Sequence, residues 1–161
     1  MRLLDYESME LPTVSKSYSL TVSKSYSLTV LQSQKTRENH MRLEHDFKRL
    51  KIWLTGMDLV DAIYDFTSTI PDHERYGLRS QLNRAAVSVP SNIAEGSGKG
   101  SDKDFARYLS IALGSAHEVE TQLLICQRRR FGDTPLLEKS LHLIQEEQRM
   151  LKSFLFRITN S

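Results

Sequence analysis

From residue 47 to residue 158 the apolar positions recur at steps of three and four, the period of an amphipathic α-helix. The spacing predicts a first helix over about 47–69, with Phe47, Leu50, Trp53, Leu54, Met57, Val60, Ile63, Tyr64 and Thr67 on one stripe, Asp58, Asp61 and Asp65 outside it, and Pro71 as the stop. A second helix is predicted over 73–95, with Leu78, Leu82, Ala85, Ala86, Val89 and Ile93 inward. Pro90 lies inside it and deprives the Ala86 carbonyl of its helical donor; because Ile93 and Ala94 continue the same face, a kink is expected rather than a break. Gly96, Gly98 and Gly100 then end the helix. Ser101 with Asp104 three residues on resembles a capping box and opens a third helix over 102–129, where Gly114 and Ser115 leave room for a neighbouring helix and Gly132 marks the stop. A fourth helix is expected over 135–158, with Thr134 as its cap and Pro135 at its first position. Four long helices with short connections imply an all-α, antiparallel up-down-up-down four-helix bundle with a kinked second helix.

Upstream of residue 41 the pattern is different. The octapeptide TVSKSYSL occupies residues 13–20 and again 21–28, and Thr29-Val30 begins a third copy. Its strict alternation has the period of a β-strand, yet no turn residues separate the copies and a lone strand has nothing to bury its face against. The alternation is therefore read as a by-product of a recent tandem duplication. Residues 1–40 are expected to be a disordered extension, a possible upstream mis-start with Met41 as the true beginning, and residues 41–161 the helical domain.

The 161 residues carry a net charge of only +2, which excludes binding of nucleic acid by bulk charge. Residues 41–161 hold 17 Lys and Arg against 16 Asp and Glu, so any such binding must come from placement of charge. The single cysteine, Cys126, excludes an intramolecular disulfide and sits on the apolar stripe of the third helix. No apolar run reaches the ~18 residues of a membrane span. A cytoplasmic protein with no membrane partner is expected.

Little of the sequence points to catalysis. The run Glu95-Gly96-Ser97-Gly98-Lys99-Gly100-Ser101 lacks the spacing of a phosphate loop and follows no strand. A weaker reading keeps an anion at the start of the third helix, near Lys99 and Lys103; the plainer one is a flexible helix connection. Glu-x-x-His occurs nowhere, and no nucleophile–base set is apparent, so no enzyme, cofactor or metal is expected. The basic features are Arg75 and Arg79, and the triplet Arg128, Arg129 and Arg130, whose plainer role is to offset a helix dipole. Arg84 and Glu120 each adjoin a stripe and are read as half-buried partners bridging helices two and three.

Several runs resemble one known family: 47–53 (FKRLKIW), 74–78 (ERYGL), 84–96 (RAAVSVPSNIAEG), 105–115 (FARYLSIALGS) and 118–124 (EVETQLL). Over about 46–155 the chain resembles the four-helix-bundle proteins encoded in intervening sequences of bacterial 23S ribosomal RNA genes. It also looks like the accessory variability determinant of diversity-generating retroelements, which partners a reverse transcriptase and binds nucleic acid. The resemblance implies a homopentamer and brings no catalytic residues. Arg84, Pro90, Asn92, Glu95, Gly96 and Glu120 carry over as fold determinants, with Asn92 in a hydrogen-bonded turn. The expected function is a non-enzymatic, homo-oligomeric accessory protein associated with RNA or DNA, and through it with a nucleic-acid enzyme. Arg75, Arg79, Lys99, Lys103, Arg128, Arg129 and Arg130 are the candidate phosphate contacts. The alternative is a protein-interaction scaffold that touches no nucleic acid.

Overall fold

A computed structural model describes residues 46–160; the octapeptide repeat, the extension and Met41 lie outside the described residues. Within them the chain is all-helical, with four α-helices and no strand: α1 (Lys51–Ser68), α2 (Leu78–Ser97), α3 (Asp102–Arg129) and α4 (Thr134–Thr159). Short 3-10 turns at Phe47–Arg49 and Asp72–Glu74 precede α1 and α2.

The helix starts differ from expectation for local reasons. Leu50 is extended (ψ 123°), so 47–49 form a separate turn capped by the Asp46 carboxylate, and α1 begins at Lys51. α2 begins at Leu78 rather than 73, because Gly77 is non-helical and the Glu74 carboxylate accepts the Leu78 N–H at 3.0 Å. A Cβ on Gly77 would sit 2.5 Å from that carboxylate oxygen, so a side chain there would displace the Glu74 carboxylate. At α4 it is Asp133, not Thr134, whose side chain caps, accepting from the Leu136 N–H at 3.0 Å. Ser101 caps α3 as expected, accepting the Asp104 N–H. Arg130, in the left-handed conformation at φ 55°, ends α3; Gly132 follows at φ 75° against the Phe66 ring.

α1 packs on α2 and α4, and α3 packs on the same two helices, while neither α1–α3 nor α2–α4 makes close backbone contact. The core runs through Leu59, Ile63, Phe66, Leu82, Val89, Ile93, Phe105, Leu109, Val119, Leu123, Ile144 and Leu151, all essentially sealed from water. On α1 the buried face is Ile52, Thr55, Gly56, Leu59, Ala62, Ile63, Phe66 and Thr67. The expected stripe is thus rotated: Leu54, Met57 and Tyr64 are 38–51% exposed. Gly114 has open space around it, while Ser115 meets α2 at Ser88, the two hydroxyls bonding at 2.9 Å.

α2 continues unbroken through Pro90 to Ser97, so Gly96 lies within the helix and Gly98 is its cap. Asn92 is helical and forms no turn; its amide donates to the Ser88 carbonyl at 2.7 Å and the Ser88 hydroxyl at 3.0 Å. Ser91 likewise donates to the Val87 carbonyl. These bonds brace the turns flanking the proline. The helical positions of α4 bury three polar side chains in line with Leu137, Ile144 and Leu151: Ser140, Glu147 and Gln148. Gln148 reaches the Ala116 carbonyl and the Glu120 carboxylate, and Ser140 the Leu136 and Ala62 carbonyls. Glu147 has no exposed surface and neither carboxyl oxygen has a partner among the described residues. Burial, and then the neighbouring Glu146, pushes its carboxyl up to about 8, so it is largely protonated at neutral pH.

Candidate nucleic-acid interface

The connection between α1 and α2 is built from the Thr67–Ser68 end of α1 and the first turn of α2. At the end of α1 the Thr67 carbonyl accepts the Ile70 N–H at 3.3 Å, and Arg79 donates to the Thr67 and Ser68 carbonyls at 2.7 and 3.0 Å while its third nitrogen lies 3.6 Å from Asp72. Arg79 is therefore spent as a clamp. Arg75 and Arg84 are exposed, and neither has an ion pair among the described residues; Arg75 lies 5.9 Å from the ring centre of Tyr76. Together with Tyr64, Asp72, Tyr76, Arg79, Ser80, Asn83 and Val87 these arginines line an open hollow of about 900 Å³ along α1 and α2.

The connection between α3 and α4 lies beside this one. The Thr69 hydroxyl accepts the Asp133 N–H at 2.9 Å, and His73 meets the Phe131 ring edge-on at 5.8 Å. Arg129 lies over the Phe131 ring, 5.6 Å from its centre. The structure thus brings the Arg128, Arg129 and Arg130 triplet next to the segment that carries Arg75. Arg130 also performs the left-handed cap.

Lys99 and Lys103 lie elsewhere, at the connection of α2 to α3. Lys99 pairs with the Glu95 carboxylate at 3.2 Å and covers the Tyr108 ring at 4.9 Å; the Tyr108 hydroxyl donates to the same carboxylate at 2.8 Å. The Tyr108 hydroxyl, then Lys99, holds the Glu95 carboxyl below its usual range, and Glu95 holds the Lys99 ammonium above its own. Gly96 permits this clasp, since a Cβ there would meet Tyr108 at 2.6 Å and Phe105 at 2.8 Å. The Ser101 hydroxyl accepts the Asp104 N–H at 3.1 Å, and the first turn of α3 carries the carboxylates Asp102 and Asp104. Lys103 instead borders a second hollow of about 630 Å³ with Arg107, Lys152, Leu155 and the exposed Phe156.

The expected Arg84–Glu120 pair does not form. Arg84 faces the first hollow, and Glu120 accepts from Gln148 at 2.8 Å and Gln145 at 3.5 Å on α4. The sequence reading missed Tyr64, Tyr76 and Asn83 as groove residues, and Arg107, Lys152 and Phe156 in the second hollow. One signal was available: Tyr76 stands in a polar run with no apolar neighbour at helical spacing. Cys126 is buried, and burial, then Glu74, pushes its thiol up to about 11, so it is a packing residue. Among the described residues no group of three His, Cys, Asp or Glu is placed to hold a metal, and no helix is long and apolar enough to cross a membrane.

The family model for the 23S rRNA-intervening sequence protein matches residues 48–153. This chain belongs to that family. A crystal structure of a protein of unknown function from the S23 ribosomal protein family of Bacteroides thetaiotaomicron is similar to it in fold, with a TM-score of 0.60 and 22% identity, covering 65% of this chain and 97% of that one. No curated protein matches it. That structural likeness shows the fold alone, which leaves function to the geometry.

Proposed function

We propose that this chain is a non-enzymatic, homo-oligomeric four-helix-bundle protein of the cytoplasm that associates with nucleic acid, RNA foremost. The observation that carries this reading is the placement of Arg75 and Arg84 in one hollow, beside the segment bearing Arg128 to Arg130, in a chain whose net charge is otherwise near zero. The bundle is read as antiparallel, up-down-up-down: along α1, Gly56, Ala62 and Thr69 neighbour Glu147, Ser140 and Asp133 in turn. A kink at Pro90 and a relation to retroelement accessory proteins belong to the same proposal.

Self-association, as a pentamer by family resemblance, draws support from two unlike faces. α1 exposes Leu54 and Met57 beside Asp58 and Asp61; α3 and α4 expose Ile111 and Phe156 beside Arg107 and Lys152. Apolar patches of opposite charge on one chain suit a head-to-tail ring. Light scattering on the full chain, with a structured RNA titrated at low and near-physiological salt, tests the reading. The expected result is an oligomer whose RNA affinity falls steeply with salt. No binding at low salt would remove the nucleic-acid reading and leave a protein scaffold.

A further inference from the structure

We infer that the hollow along α1 and α2 takes an unpaired stretch of nucleic acid, with a base stacked on Tyr76 or Tyr64 and its phosphates on Arg75 and Arg84. This rests on the nucleic-acid reading above and adds strandedness to it. Tyr76 is 90% exposed and Tyr64 51% exposed, although a tyrosine ring carries enough apolar surface to be drawn into the core when packing allows. Both border the hollow that holds the two arginines. An aromatic face beside a guanidinium is the combination that stacks a base and neutralises its backbone. A duplex keeps its base faces inside the helix and has none to offer.

Two further features shape the hollow for this ligand. Asn83 lies in its wall, and its amide oxygen already accepts the Thr67 hydroxyl at 2.9 Å. The amide N–H groups remain as donors toward a base edge. Arg79, hydrogen-bonded to the Thr67 and Ser68 carbonyls, also lines the hollow, with the Asp72 carboxylate 3.6 Å from it. The volume of about 900 Å³ lies within the ordinary range of small-ligand clefts and accommodates a nucleotide with its flanking phosphate.

The test is fluorescence anisotropy with the full chain and three probes: a short oligouridylate, the matching oligodeoxyuridylate, and a duplex RNA of the same length. The expected result is at least tenfold tighter binding of the single strands than of the duplex. Tyr76→Ala and Tyr64→Ala together should cost roughly tenfold or more per stacked base on single strands and leave duplex binding unchanged, while Tyr→Phe at both positions retains wild-type affinity. Circular dichroism checks that each variant folds. Equal, salt-dependent binding of single strand and duplex, unmoved by the tyrosine changes, would overturn this inference and leave the general nucleic-acid reading standing. No binding of any probe at low salt would overturn both. Different affinities for the two single strands would assign the sugar, with preference for either still supporting an unpaired ligand.

Discussion

The two turns that flank α2 contain similar residues and use them in opposite ways. At the α2–α3 turn the cation is satisfied on the spot: Lys99 is held by Glu95 and Tyr108, and Ser101 and Asp104 close the amides of α3. At the α1–α2 turn one arginine, Arg79, is spent on carbonyls, and Arg75 and Arg84 are left facing a hollow walled by tyrosines. Counting basic residues along the chain ranks the two turns alike. What separates them is the ion pair: Glu95 holds Lys99 at 3.2 Å, and neither Arg75 nor Arg84 has an ion pair among the described residues. A charge with a local partner contributes little to an incoming phosphate, because the partner must be given up first.

The interior sharpens the same contrast. Glu95 has two donors and a lowered pKa, whereas Glu147 has none and a raised one. The folded state holds Glu147 protonated up to about 8 while the unfolded chain releases that proton near 4.5, so this contribution to stability is intact below 4.5. It is lost as pH rises toward 8, at ~1.4 kcal/mol per pH unit. Denaturant melts at pH 5 and pH 8 should show the wild type weaker at pH 8 by a few kcal/mol. Glu147→Gln should flatten that dependence; an unchanged pH profile would mean the carboxyl finds a partner or water.

A smaller effect separates two glycines that look alike in sequence. Gly96→Ala drives a methyl group into Tyr108 and Phe105 and should cost about 1–3 kcal/mol, breaking the clasp of Glu95 and Lys99. Gly114→Ala meets open space on α3 and should stabilise by about 1 kcal/mol through helix propensity. Thermal melts read both, and a Gly96→Ala variant as stable as the wild type would show that the α2–α3 turn is not held in this way.

Much of the helical layout was legible because apolar residues at steps of three and four mark a buried face whatever it packs against. On α2 the expected positions Leu82, Ala85, Ala86, Val89 and Ile93 are all buried. α1 misled because Trp53-Leu54 and Ile63-Tyr64 are adjacent apolar pairs, and periodicity alone does not say which member turns inward; the buried line through Ile52, Leu59 and Phe66 decides it. Glu147 hid between Glu146 and Gln148 in a stretch that reads as solvated. Its position three after Ile144 and four before Leu151 places it on the core line, a signal present in the sequence. The candidate site was half legible. Arg75 and the Arg128 to Arg130 triplet stood out as basic residues. That Arg79 turns back to carbonyls, that Lys99 is clasped, and that Arg84 joins Tyr64 and Tyr76 depend on contacts between helices, which spacing within one helix does not encode.

The most direct test of the account compares the two turns in one assay: the salt dependence of RNA affinity for Arg75→Ala with Arg84→Ala, against Lys99→Ala with Lys103→Ala, each pair in the full chain. Both pairs remove two formal charges. The account predicts that the arginine pair weakens binding and flattens the salt slope by roughly one to two units, while the lysine pair has a much smaller effect on both. Equal losses from the two pairs would contradict it, since charge alone and not its placement would then set the affinity.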